Sequence, residues 1–242
     1  MASRYRLYRG AVAGATGRIG EALSRQLLLS PLCSEVHALG RTETCAFEGL
    51  SAAKSKLRQH HLDLGNQFCG VEPSALEGVE VAFCVLGARN GWADAEDMAK
   101  VERDGALRFA ELCAAAQVPH ISLLSSAWAD PQSRMPFARI HSETAKAYAA
   151  MEAFKRVSIF APSAALQKDD SIVPASPNAS FVARASWALV PILTQFLPTR
   201  YRPMTIDDIV LALRLNAELC ASRERVEYLD YRDMMQIIGK DE

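Results

Sequence analysis

Residues 10–20, Gly10-Ala-Val-Ala-Gly14-Ala-Thr-Gly17-Arg-Ile-Gly20, decide the fold. An apolar strand end runs into three glycines spaced three apart and then into a helix-forming stretch. Each glycine has a separate task. Gly14 permits the tight turn out of the strand, Gly17 lets bare backbone approach a pyrophosphate, and Gly20 lets the new helix lie close against the sheet. Phosphates would then sit at a helix N-terminus, where unpaired N–H groups and the positive end of the macrodipole favour anions. A glycine triplet by itself also fits a purely structural strand-to-helix turn. The strand before it and the helix after it point to dinucleotide binding, with Gly14, Thr16, Gly17, Arg18, Ile19 and Gly20 as its residues.

Outward from the turn, Arg18 to Leu29 repeats apolar residues at helical spacing and stops at Ser30-Pro31. A second strand is predicted at Glu35 to Leu39. A site selective for NAD places an acid near this point, about 20 residues after the glycine turn, to bind the ribose 2′-hydroxyl. This chain has Gly40-Arg41-Thr42 instead. Arg41 can pair bidentately with a 2′-phosphate, with Arg18 as second partner, so NADP(H) is expected in preference to NAD(H). Two solvated surface arginines are the bland alternative. Residues 42–58 read as a loop or weak helix. A third strand, Arg58 to Leu62, leads to Asp63-Leu64, which either contacts the adenine or makes an ordinary turn. Pro73 to Gly78 is a short helical turn. Val79 to Leu86 is a nearly continuous apolar run suited to a strand covered on both faces, and Leu86-Gly87 at its end offers backbone on which a cofactor can lie.

Asp94 to Gln117 predicts a long helix whose stripe of Met98, Val101, Gly105, Phe109, Leu112, Cys113 and Ala116 is core and not a site. A fifth strand, Ile121 to Leu124, ends in Ser125-Ser126 on the ligand side of the sheet. A helix from Phe137 to Phe154 and a strand from Val157 to Phe160 follow, closed by Pro162. Alternating strands and helices predict an α/β protein, a Rossmann-like doubly wound parallel sheet. With 242 residues, half of them apolar, the chain is expected to form one domain: about 1–165 as cofactor-binding core and about 166–242 as a pocket-forming portion. A net charge of −1 with interspersed signs excludes an electrostatic footprint for nucleic acid. Six scattered cysteines show neither a C-x-x-C pair nor metal spacing and read as reduced thiols. Met1 to Arg9 lacks the apolar stretch of a secretory signal. Phe181 to Leu197 is too short, and too interrupted by Arg184 and Pro191, to span a bilayer. A cytoplasmic protein without a transmembrane segment is expected.

These residues carry a resemblance. Gly14-Ala-Thr-Gly-Arg-Ile-Gly20, Leu39-Gly-Arg41, Phe83-Cys-Val-Leu-Gly87, Val101-Glu-Arg-Asp104, Leu123-Leu-Ser-Ser-Ala-Trp-Ala-Asp130, Ser158-Ile-Phe-Ala-Pro162 and Pro203-Met-Thr-Ile-Asp-Asp-Ile-Val210 are similar to the atypical short-chain dehydrogenases/reductases. They most resemble the Tat-interacting, oxidoreductase-like branch. The resemblance implies NADP(H) binding and a substrate pocket over the nicotinamide, with Ser125, His141 and Pro162 joining the cofactor site. It also implies a tyrosine that moves the proton and, four residues on, a lysine that holds the ribose. Aligned from Ser125-Ser126 forward and from Pro162 backward, those positions hold Phe137 and His141. A phenyl ring has no proton to give, and Tyr148 lies about 10 Å further along the helix from His141 at ~1.5 Å per residue. The usual Arg-Pro-Gly after the sixth strand is Ala161-Pro162-Ser163. Two functions follow. One is a nucleotide-binding regulator or scaffold with a protein partner. The other is an NADPH-dependent reductase of a small carbonyl ligand, with Ser125 and His141, or a bound water, at the reaction.

Overall fold

The strand that feeds the glycine turn, β1 (Tyr8–Ala13), is an interior strand of a seven-stranded sheet. This is seen in the computed structural model, which describes residues 7–42, 54–62, 70–87, 95–166, 198–221 and 224–240. Its alternating side chains serve two cores. Val12 packs into one, and Ala11 and Ala13 into the other.

Helix α1 (Arg18–Leu29) follows the turn and buries Leu23 and Leu27, four residues apart on one face. Strands β2 (Cys33–Gly40) and β3 (Leu57–His61) continue outward on one side of β1. The chain then crosses back to β4 (Val81–Cys84) on the other side of β1. Next comes α2, a helical run over residues 95–115 that is α-helical at Ala95–Met98 and Ala106–Ala115 and π-helical at Ala99–Gly105. Strand β5 (His120–Leu124), helix α3 (Pro136–Ala150) and strand β6 (Arg156–Phe160) complete the alternation. A two-residue pair, β7 (Ala165–Leu166) with β8 (Met204–Thr205), precedes helix α4 (Ile206–Leu219), edge strand β9 (Val226–Leu229) and helix α5 (Tyr231–Ile237).

The order is β3-β2-β1-β4-β5-β6-β9, and every neighbouring pair is parallel. This is the expected doubly wound sheet. Apolar residues of α1, α4 and α5 (Leu27, Leu213, Met234) pack on one face, and those of α2 and α3 (Phe109, Cys113, Tyr148) on the other. The order in which strands are added switches sides between β1 and β4, so a crevice opens there at the carboxyl ends of the strands.

Three local expectations change. The helix read to Phe154 ends at Ala150. Phe154 is 1% exposed, so its burial mimics helical periodicity from the loop that follows. The helix read as regular through Asp94 to Gln117 contains the π-helical turn. Strand β9 and its pairing with β6 are additions that no local pattern signals. Phe181 to Leu197 falls outside the described residues. Among those that are described, no helix is long and apolar enough to cross a membrane. Cys33, Cys84, Cys113 and Cys220 are free thiols.

The far end of the sheet is pinned by a polar network. Ser158 Oγ donates to Glu227 Oε1 across the β6–β9 pair (2.5 Å) and therefore accepts from His120 Nε2 (2.8 Å). Arg156 holds the same carboxylate at 2.8 and 3.0 Å. Burial, with Arg156 adding repulsion, pulls the His120 imidazole from its ordinary 6.5 down to about 3. The unfolded chain takes up this proton near 6.5 and the folded chain only near 3. The contribution of neutral His120 is therefore intact above the upper value and lost progressively as pH falls through that window. The urea midpoint of the wild type should drop between about pH 7.5 and about pH 5, and His120→Asn should reduce that drop.

Candidate functional site

The turn after β1 hangs on β2. Gly14 N and Ala15 N donate to Leu39 O at 3.1 and 3.2 Å, and Gly17 N donates to Gly14 O at 2.9 Å. Gly14 has φ +89°, and a Cβ there would lie 2.7 Å from Val85 O. A Cβ on Gly20 would lie 2.0 Å from Gly14 O. Gly17 differs: it is exposed, and its Cβ would meet Gly14 O alone, at 3.3 Å. Gly17 is also the N-cap of α1 and makes no side-chain cap, so the N–H groups of the first turn remain for a ligand.

A cavity of about 400 Å³ opens over this turn, at the carboxyl ends of β1 to β4. Gly14, Thr16, Gly17, Arg18 and Ile19 form one wall, Leu39, Gly40 and Arg41 the next, and Leu86 and Gly87 another, with Leu62, Val101, Ala165 and Ile206 completing it. Its size lies within the roughly 300–1,000 Å³ of ligand pockets. The bare glycine, the uncapped helix start and two arginines suit a pyrophosphate with further phosphate.

The expected site residues therefore divide. Gly14, Thr16, Gly17, Arg18, Ile19, Arg41, Leu86 and Gly87 share the cavity wall, and Gly20 lies beneath the turn. Asp63 and Leu64 fall outside the described residues. Ser125, His141 and Pro162 are not on this wall. Ser125 N donates to Phe160 O at 2.7 Å and its Oγ to His141 O at 3.5 Å. Pro162 is buried, with its carbonyl taken by Ala127 N at 3.0 Å. Val101, read as core alone, is both buried and part of the cavity wall.

Glu102 is the residue that sequence reasoning missed. Its carboxylate lies 3.2 Å from His141 Nε2, with the two side chains 13% and 14% exposed. It also lies 3.9 Å from where a Cβ of Gly87 would sit, so it bridges the cavity rim and His141. The imidazole keeps only Nδ1 for other work. Phe137 packs edge-on against that imidazole, 4.6 Å between centroids at 70°, and borders a second cavity of about 630 Å³ with Trp128, Met135 and Tyr201. The signal for Glu102 was its place beside Val101, within the π-helical turn. Among the described residues no cluster could hold a metal ion.

Fold and cavity together define a Rossmann-type dinucleotide-binding protein. The chain belongs to the NAD dependent epimerase/dehydratase family, whose model matches residues 11–158, and a nicotinamide dinucleotide is accordingly its cofactor. It is 31% identical over 151 residues to Protein HTATIP2 of Rattus norvegicus, across 62% of this chain and 60% of that protein. The match thus spans about three fifths of the relative's length. Among solved structures, MoeE5 in complex with UDP-glucose and NAD aligns with TM-score 0.62 at 20% identity, over 91% of this chain and 75% of that one. WbmF of Bordetella bronchiseptica in complex with NAD+ gives 0.63 at 11% identity, over 99% and 81%. Pen from Bacillus thuringiensis gives 0.65 at 13%, over 98% and 75%. At these identities the structural likeness shows the fold.

Gly17→Val should abolish cofactor binding in a calorimetric titration while changing the unfolding free energy by about 1 kcal/mol or less, because the new methyls would project into the ligand site. Normal binding by this variant would mean that the turn is structural only.

Proposed function

We propose that the protein holds NADP(H) without the proton-transfer pair of related reductases, and acts in the cytoplasm as a nucleotide-binding regulator or scaffold for a protein partner. The observation that carries this is Phe137. At the position that the resemblance gives to the proton-donating tyrosine stands a phenyl ring packed on His141, and the Nε2 of His141 is engaged by Glu102. When bound, the cofactor supplies hydride, which needs mainly orientation from the protein. Arg18 and Arg41 would hold the phosphates, Gly14 and Gly17 would admit the pyrophosphate, and Gly87 would give the cofactor bare backbone to lie on.

A reductase of a small carbonyl compound is the second reading, and the cavity beside Phe137 favours it. Its volume and its aromatic wall suit an apolar substrate. In that case His141 Nδ1 or a water supplies the proton, and general acid help worth ~10²–10⁴-fold is reduced or lost.

Titration should give tighter binding of NADPH than of NADH, and Arg41→Asp should weaken NADPH by about tenfold or more, since hydrogen bonds to charged groups are worth about 1.5–3 kcal/mol. Equal affinities in the wild type would sink the phosphate clamp. The wild type should also show little oxidation of NADPH across a panel of aldehydes, ketones and quinones. Phe137→Tyr with His141→Lys should raise any turnover by about 10²–10⁴-fold where the substrate pocket is intact. Brisk turnover by the wild type that survives His141→Ala would overturn the regulator reading.

A further inference from the structure

The cavity of about 630 Å³ beside Phe137 shares no wall residue with the cofactor cavity among the described residues. We propose that it binds a planar aromatic acid, with Trp128 and Tyr201 stacking on the ring and Arg200 taking the carboxylate. The proposal goes beyond both functional readings, because it needs neither the dinucleotide nor turnover.

An open apolar wall is the first support. Trp128 and Met135 are 46% and 49% exposed, and both line this cavity. A single exposed apolar side chain needs no explanation, but two on one concave surface, with Phe137 beside them, mark a place that a ligand covers.

The second support is that this wall is tied together from three parts of the chain. Ala127 N donates to Pro162 O at 3.0 Å and Trp128 Nε1 to Ser163 O at 3.1 Å, which joins the loop after β5 to the end of β6. Ser163 Oγ donates to Arg202 O at 2.8 Å, which brings in the short turn Thr199–Tyr201. Across that junction the rings of Trp128 and Tyr201 stack, 4.4 Å between centroids at 25°. With its one N–H engaged, the indole has only ring surface to offer a ligand.

Charge is the third. The Arg200 guanidinium lies 4.4 Å from the centroid of the Tyr201 ring and donates to the Tyr201 hydroxyl, so among the described residues it is held by an aromatic ring and not by a carboxylate. The other polar groups of the wall serve its own turns: Asp130 Oδ1 accepts from Gln132 N at 2.8 Å, and Ser133 Oγ from Met135 N at 3.2 Å. A sugar would need many donors and acceptors here. Aromatic surface with one guanidinium matches a flat ring that carries one anionic group.

The test is calorimetric titration of the full chain with 2-naphthoate, with neutral 2-naphthalenemethanol and with cyclohexanecarboxylate, in wild type, Arg200→Gln and Trp128→Leu. The wild type should bind 2-naphthoate most tightly of the three. Arg200→Gln should weaken 2-naphthoate by about tenfold, the loss of a hydrogen bond to a charged group, and leave 2-naphthalenemethanol unchanged. Trp128→Leu should weaken both aromatic probes by about two- to tenfold. No binding of 2-naphthoate at millimolar concentration would overturn the proposal. So would equal loss of the acid and the alcohol in Arg200→Gln, or cyclohexanecarboxylate binding as tightly as 2-naphthoate. Displacement of bound 2-naphthoate by UDP-glucose would give the cavity to a nucleotide sugar and overturn it as well.

Discussion

One carbonyl oxygen, that of Gly14, sits where a strand, a turn and a helix converge. It accepts from Gly17 N, and it lies where any side chain on Gly20 would have to pass, 2.0 Å from the position of a Cβ. Gly14 itself is held at positive φ, with its open side 2.7 Å from Val85 O on the neighbouring strand. Overlap of that size is not relieved by a small backbone shift, so both positions require glycine. The close approach lets α1 press Leu23 and Leu27 into the core, and it aims the uncapped start of α1 at the crevice between β1 and β4. Core packing and the direction of the uncapped helix start thus follow from the same contact.

A second arrangement of backbone groups sets the other side of the site. A π-helical turn leaves carbonyls out of the ordinary helical ladder, and buried carbonyls need donors. Helix α3 meets this region at two places: Thr144 Oγ1, which donates to Ile140 O within α3 at 2.8 Å, lies 3.2 Å from Glu102 O, and Tyr148 OH donates to Ala106 O, just past the π-helical turn, at 2.7 Å. Thr144 and Tyr148 are one turn apart, so α3 is fastened along α2 at two points. With the helices fixed in that register, Val101 reaches the cavity wall and Glu102 reaches both the edge of Gly87 and the ring of His141. Tyr148, the nearest tyrosine in sequence to Phe137, is fully buried and donates to Ala106 O.

Much of the fold was legible because its signals are local. Helix Arg18–Leu29 has the bounds its periodicity predicts, and strands β2 to β6 fall within about two residues of theirs. The glycine turn and Arg41 were legible for the same reason, since a backbone cradle and a charge at a strand end are written in adjacent residues. What stayed hidden depends on partners far away in sequence. Strand β9 is half-exposed and carries Glu227, which reads as surface until Ser158 and Arg156 are seen to hold it. The π-helical turn interrupts a stripe that looks regular, and its donors lie 42 residues downstream. Glu102 lies within that interruption.

The cavity over the glycine turn and the Phe137–His141 pair therefore rest on different kinds of structure. The cradle for the cofactor is mostly backbone: glycines without side chains, a helix start without a cap, and strand ends fixed by the sheet. Its geometry survives whatever stands at positions 137 and 141. Positions 137 and 141, by contrast, are held by side chains, and these two satisfy each other and Glu102. The phenyl edge packs on the imidazole, and the imidazole nitrogen meets a largely buried carboxylate. A lone hydroxyl placed at position 137 would need a partner of its own, and a lone lysine at 141 would lose the aromatic contact. Phe137, His141 and Glu102 thus hold one another in place as packing, apart from the backbone that shapes the cavity.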